Sequence, residues 1–235
     1  MRVLVVTAVP AERDAVTRAF GDVSEVAGVQ AHRVTGPGGS VLVDVLAGGV
    51  GPAAAAAATA FGLAAQPYDL VVSAGIGGGF APVAPVGSVV VASGIVAADL
   101  GAETPEGFVP VTGLGFGLDR FTPPPAQVRD VAAATGALTG EVLTVSTVTG
   151  SAARAAALLA THPRAAAEAM EGFGVAEAAE RAGVPVLEIR AVSNTVGPRD
   201  RDAWRIGDAL AALTGVFGKL APALEGWTHH DRHDS

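Results

Sequence analysis

Short continuous apolar runs, separated by stretches of small and polar residues, set the pattern of this chain. Residues 2–7 (RVLVVT) are apolar without alternation, which predicts a strand buried on both faces. Pro10 suits the first turn of a helix that Ala11–Phe20 continues. Val29–Val34 and Val41–Ala47 predict a strand pair joined by the turn-rich GPGGS at 36–40. GGVGP (48–52) opens an Ala-rich helix to about Ala65. Leu70–Ser73 predicts a short strand running into a glycine loop at 75–79, and Val86–Val96 a long strand. Residues 99–125, rich in Gly and Pro, read as the least regular part and a candidate substrate-covering segment.

Further along, Val142–Val148 predicts a β-branched strand, and Ser151 can cap a helix over 152–160. A short strand then reaches Met170, a helix runs to about Ala182, and Val184–Ser193 predicts another strand. Residues 195–205 form a polar loop before a final helix at about 207–223. Strands alternating with helices imply an α/β fold, three layers deep, with a central mixed, mostly parallel twisted sheet covered on both faces. Neither a repeat nor a linker divides the chain. Residues 1–225 are expected to form one catalytic domain, followed by a disordered tail at 226–235 (GWTHHDRHDS).

Composition narrows the chemistry. The net charge of −8 over 235 residues argues against a nucleic-acid phosphate backbone as partner. With no cysteine, disulfides, thiolate catalysis and Cys-based metal sites drop out. No charged residue lies between Val45 and Tyr68 or between Leu70 and Ala98. A membrane span needs roughly 20 predominantly apolar residues, but both stretches are interrupted by Gly and Pro, so they read as buried elements. No signal peptide is evident. The expectation is a cytoplasmic protein that engages neither membrane nor nucleic acid.

In open α/β sheets, ligands bind beyond the carboxyl ends of strands. The sequence places Glu12 there after the first strand, Ala74 and Gly75 after the strand at 70–73, and Thr149 and Gly150 after 142–148. Met170 and Glu171 follow the short strand, and Asn194 follows 186–193. Glu12 could be a general base or an acid favoured in a helix first turn; Glu171 carries the same two readings. A thioether beside an acid at such a corner suits a sugar, with Met170 against the ring and Glu171 accepting from two hydroxyls. Asn194 could cap a turn or bind a ligand. The loop at 75–79 departs from G-x-G-x-x-G because Phe80 holds the last glycine position, so a dinucleotide site is not expected.

His32 falls in a strand pattern, His162 in a loop, and His229, His230 and His233 in the tail. Neither a G-x-S-x-G elbow nor an H-E-x-x-H pair occurs. No metal and no cofactor are expected.

The order VVTAVPAERDAV, VSAGIGGG, AMEGFGVA and EIRAVSNTVG resembles the purine nucleoside phosphorylase/hydrolase superfamily over nearly the whole chain. It is most similar there to the nucleosidases that cleave methylthioadenosine and S-adenosylhomocysteine. Two departures from those nucleosidases point to the branch that hydrolyses futalosine, a hypoxanthine nucleoside. Asn194 stands where the adenine-specific enzymes carry Asp, and the loop VGPRDRDAWRI (196–206) resembles the futalosine branch. An amide both donates and accepts, which suits a 6-oxopurine.

The resemblance implies N-glycosidic hydrolysis through a cationic, oxocarbenium-like sugar, by analogy with glycoside hydrolysis. Glu12 would activate water, Glu171 and Met170 would hold the ribose, and Asn194 would bind the base beside backbone at Ala74, Gly75 and Gly150. Asp200 or Asp202 could assist departure of the base. A pocket for the 5′ aromatic acid of futalosine would draw on Phe80, Phe108 and Trp204 with Arg201 or Arg205; ordinary packing is the other reading of each. The resemblance also implies a homo-oligomer. A phosphorylase, an adenine-type nucleosidase and a non-catalytic nucleoside binder remain as alternatives. A carboxylate aimed at the attacking oxygen disfavours phosphate, and a binder has little use for both Glu12 and Glu171.

Overall fold

A computed structural model of the chain describes residues 1–21, 23–26, 31–35 and 41–224. The turn expected at 36–40 and the tail with its three histidines lie outside the described residues. Twelve strands and six helices follow in the described chain. The first half contains β1 (Arg2–Thr7), α1 (Pro10–Thr17), β2 (Ser24–Val26), β3 (Ala31–Thr35), β4 (Leu42–Ala47), α2 (Pro52–Ala65), β5 (Leu70–Gly79) and β6 (Val89–Ala97). Two short strands, β7 (Gly101–Thr104) and β8 (Gly107–Pro110), form a separate hairpin, and β9 (Arg120–Phe121) returns to β6. The second half adds α3 (Pro125–Thr135), β10 (Leu138–Thr144), α4 (Ala152–Thr161), β11 (Ala165–Ala169), α5 (Gly172–Arg181), β12 (Val186–Thr195) and α6 (Ile206–Leu224).

The main sheet is mixed, in the order β11-β10-β6-β12-β5-β1-β4-β3-β2. Alternation along β1 shows how its two faces are covered. Val3 and Val5 join a core with residues of α1, α3 and α6, while Leu4 and Val6 join a second core with residues of α2 and α5. Helices therefore flank the sheet on both sides, as the sequence predicts. Ser151 caps α4 as expected, its Oγ accepting from the Arg154 N–H at 3.2 Å, and Pro10 opens α1.

Four expectations need correction. The glycine segment 75–79 is strand, the second half of β5. Here glycine serves close approach rather than a turn: β11 pairs antiparallel with this end of β5 through Ala167↔Gly79 and Glu168↔Gly78. A Cβ on Gly77 would stand 2.7 Å from the Glu168 carbonyl oxygen. Because β11 also pairs with β10, the strands β5, β12, β6, β10 and β11 close into a ring. The strand expected at 142–148 occupies Leu138–Thr144 instead. Its pairing with both β6 and β11 sets the span, and Val145–Val148 leave the sheet although β-branched residues favour strand. Residues 99–125 are more regular than expected, holding the β7–β8 hairpin and β9. The helix α3 has no counterpart in the sequence reading, since its Ala-rich segment carries little amphipathic signal.

Helices α2 and α5 meet at Gly174, where a Cβ would lie 2.0 Å from the Pro52 carbonyl oxygen. That contact holds the entry of α2, at Gly51, beside the entry of α5, at Glu171. Gly174→Ala is expected to destabilise the fold by about 1–3 kcal/mol through overpacking. A denaturant-unfolding midpoint indistinguishable from that of the parent chain would contradict the close contact.

Candidate active site

A cleft of about 170 Å³ opens at the carboxyl ends of β1, β5, β11 and β12, where open α/β sheets place their ligands. Glu12, on the first turn of α1, lines it. The Ala8 and Val9 N–H groups donate to Glu12 Oε2 at 2.9 and 3.3 Å, and the Ile76 N–H donates to Oε1 at 2.9 Å. The helix-start reading and the functional reading of Glu12 are thus compatible: backbone donors just ahead of α1 and in β5 hold the carboxyl where it lines the cleft. Burial pushes its pKa above the ordinary glutamate value, against the backbone donors and the Arg190 charge, which pull it down. A carboxyl so placed is a candidate base.

Glu171 sits just before the first residue of α5 and is buried. Its Oε1 accepts from the Gly51 N–H at 3.2 Å, and its Oε2 accepts from the Met170 N–H at 3.3 Å and from Arg190 Nη1 at 3.4 Å. Met170 lines the cleft beside it. Asn194, near the end of β12, also lines the cleft. Its Oδ1 accepts from Ser193 Oγ at 2.9 Å, and its Nδ2 donates to the Thr195 carbonyl at 3.1 Å.

Arg190, which the sequence reading did not single out, organises the floor of the site. It is wholly buried. Its Nε donates to Glu188 Oε1 at 2.9 Å, and its Nη2 donates to Ser73 Oγ at 2.8 Å. Gly75 makes room for it: a Cβ there would lie 2.6 Å from Glu12 Oε1 and 2.8 Å from Arg190 Nη1. Glu188 is also wholly buried, and burial raises its pKa despite the guanidinium alongside. The signal was present in the sequence as VLEIRAV, where two charges spaced by two residues interrupt an apolar strand and therefore share a face.

Among the residues expected at the site, Glu12, Met170, Glu171, Asn194 and Trp204 come together around the cleft. Others do not line it. Ala74 is buried in the core, and Gly75 acts only through its missing side chain. Gly150 is exposed just ahead of α4. Phe80 is packed in a core with Leu143, Val145 and Leu158. Phe108 is exposed on the β7–β8 hairpin, and Asp200 and Asp202 are exposed in the loop before α6. Arg201 lies over the Trp204 ring at 5.8 Å, while Arg205 turns to Asp208 at 3.9 Å. The cleft adds residues the sequence reading passed over: Glu168, Ser193 and Arg199, the last over the Trp204 ring at 5.5 Å.

Comparison with known proteins identifies the family. The family model described as "Phosphorylase superfamily" matches residues 2–221. A futalosine hydrolase of Streptomyces coelicolor is 65% identical, over 99% of this chain and 100% of its own length. A futalosine hydrolase of Acidothermus cellulolyticus is 46% identical over 94% of this chain and 90% of its own. Among solved structures, a methylthioadenosine/S-adenosylhomocysteine nucleosidase of Colwellia psychrerythraea in complex with adenine superposes with a TM-score of 0.82 at 24% identity. That match covers 97% of each chain, and it shows the fold.

Removing Arg190 alone would strand Glu188 and Glu171 in the interior. Arg190→Met is expected to cost about 3–5 kcal/mol of stability, measured by denaturant unfolding. A loss within experimental error would mean that the buried carboxyls do not depend on this guanidinium.

Proposed function

The chain belongs to the phosphorylase superfamily, and from that premise we propose that it hydrolyses the N-glycosidic bond of futalosine, releasing hypoxanthine and dehypoxanthine futalosine for menaquinone synthesis. The near full-length likeness to the Streptomyces enzyme carries this reading. The chemistry of the cleft supports it.

Water held at Glu12 attacks C1′ as the bond to N9 breaks. The bonding pair leaves with the purine, the water proton passes to Glu12, and a proton returned through solvent neutralises the released base and restores the Glu12 carboxylate. Positive charge gathers on the sugar at the transition state, and preorganised negative groups favour it there more than in the ground state. Glu171, fixed by Gly51 and Arg190, accepts from the ribose 2′- and 3′-hydroxyls, and Met170 packs against the ring. Asn194 donates to the departing base, so its developing negative charge meets an N–H.

Inorganic phosphate is the poorer nucleophile here. Glu12, Glu171 and Glu188 stand around Arg190, and the guanidinium is already engaged by Glu188, Ser73 and Glu171. Trp204 with Arg199 stacked on it offers an apolar wall and a cation for the 5′ aromatic acid. Phe80 and Phe108 take no part in this reading. Exposed apolar side chains at Val50, Phe61 and Phe116 support a homo-oligomer, and the reading places it in the cytoplasm.

Incubated with futalosine, inosine and methylthioadenosine, each with and without phosphate, the protein is expected to free hypoxanthine from futalosine regardless of phosphate. Phosphate-dependent release, or adenine as the main product, would refute the proposal.

Glu12→Gln is expected to lower turnover by at least about 10²–10⁴-fold while calorimetry still detects substrate binding. An active variant removes Glu12 from the chemistry. In the parent enzyme the base works only when ionised, and burial raises its pKa. The kcat/KM is therefore expected to fall with decreasing pH along a limb lying above the ordinary glutamate value. A profile flat through that region would assign the base elsewhere.

A further inference from the structure

Glu188 is wholly buried on β12, does not line the cleft, and has no part in the chemistry proposed for it. It shares a face of the strand with Arg190, two residues on. The register sets Glu188 opposite Ser73 of β5 and Arg190 opposite Gly75. A Cβ on Gly172, the first residue of α5, would overlap both Glu188 carboxyl oxygens. Glycine at the α5 entry therefore makes room for this carboxyl behind the cleft.

Three carboxyls surround one guanidinium, and they stand to it differently. Glu188 takes the short contact, from Arg190 Nε at 2.9 Å, and Glu171 the longer one, from Nη1 at 3.4 Å. Glu12 accepts instead from the N–H groups of Ala8, Val9 and Ile76. Its Oε1 and Arg190 Nη1 nevertheless border the same space, 2.6 and 2.8 Å from where a Cβ on Gly75 would stand. That sets them within the roughly 4–6 Å over which an opposite charge favours the ionised form of an acid. Left unopposed, the guanidinium would draw Glu12 into an ion pair and make it a weaker base.

The surroundings of Glu188 favour its charged form. Its Oε2 has no hydrogen-bond partner among the described residues. A proton there would be a buried donor with no acceptor, which costs more than an unmet lone pair. Burial raises the Glu188 pKa, and the guanidinium held at Nε lowers it. The charged groups that face this cluster are Glu12 from α1, Glu171 from the entry of α5, and Glu188 and Arg190 from β12. From β5 comes only the neutral Ser73 hydroxyl, which accepts from Nη2 at 2.8 Å. Elsewhere on the two helices, Arg13 pairs with Asp14 and Arg181 with Glu177.

We propose that Glu188 is a positioning residue for the hydrolysis: a buried counter-ion that answers Arg190 from behind the cleft and leaves Glu12 free to take the proton of the attacking water. This inference rests on the proposed hydrolysis with Glu12 as its base. The guanidinium has two duties that conflict, since it must fix Glu171 at the ribose without capturing the base beside it. With Glu188 on Nε and Ser73 on Nη2, its donors are committed away from Glu12. A general base works best when its pKa lies near the operating pH. Burial moves Glu12 upward toward that range, and an unopposed Arg190 would undo the rise.

The experiment compares the parent protein with Glu188→Gln, which keeps the shape and the acceptor for Nε but removes the charge. One readout is the pH profile of kcat/KM for futalosine. The other, taken without substrate, is the NMR titration of the Glu12 carboxyl carbon, its signal identified by its loss in Glu12→Gln. In the Glu188 variant the acid limb is expected to move to lower pH by about 1 unit or more, and the titration with it. The rate on the high-pH plateau is expected to fall, because the base is weaker. A limb and a titration that stay in place or move to higher pH would overturn the inference, even where activity or stability drops. A titration that moves without the limb would overturn it as well, since another group would then be the base. If the titration moves and the parent leaves futalosine intact, the counter-ion stands and the substrate reading falls. If futalosine is hydrolysed and the titration is indifferent to Glu188, only the present inference falls. Should the Gln variant fail to fold, Glu188→Asp withdraws the charge from Nε by one methylene, and a smaller shift of the same sign is required of it.

Discussion

Where β5 runs through Gly75, Gly77 and Gly78, three neighbouring groups press on backbone that has no side chain to push them away. Glu12 and Arg190 crowd the first position, the backbone of β11 the second, and Asn194 with Val196 the third. The ring of strands closes only because β11 can come this near. The Glu12 carboxyl and the Asn194 amide reach one cleft for the same reason, with the Arg190 guanidinium buried beside Glu171. Such glycines cost conformational entropy, of the order of 0.5–1 kcal/mol each relative to Ala, which the pairing on both sides of β5 offsets.

The charge arrangement follows from that closeness. Arg190 could not be buried without partners, and it has them on two strands and a helix entry: Ser73 on β5, Glu188 on β12 and Glu171 at the start of α5. The start of α5 is in turn held against α2 through Gly174, so Gly51 can donate to Glu171. Helix packing at Gly174, which does not line the cleft, thereby sets the position of a group that does. Glu12 is tied down separately, by N–H groups just ahead of α1 and in β5.

Much of this was legible in the sequence where apolar runs and strand ends coincide. Glu12, Met170, Glu171 and Asn194 all fall at the carboxyl ends of strands, and the topology brings them together. Local pattern failed where long-range pairing decides. GIGGG reads as a loop by composition, yet it is strand because β11 and β12 pair with it. Val145–Val148 read as strand by propensity, yet the register with β6 and β11 ends at Thr144. Glu168 was invisible because nothing in AAAEAM tells which residue its strand will face. Phe80, a candidate apolar wall for the 5′ group, turns its side chain into the core.

The crowding of three carboxyls about one guanidinium also bears on the direction of the reaction. A phosphorylase stores the energy of the glycosidic bond in a sugar phosphate, so its reaction runs both ways and salvages bases as readily as it frees them. A site that turns phosphate away and admits water gives up that energy. Base and sugar, once parted, do not rejoin at an appreciable rate, because condensation in water is uphill. On the proposed reading the cleft is therefore a one-way valve, committing each nucleoside that enters to breakdown whatever the concentrations of its products.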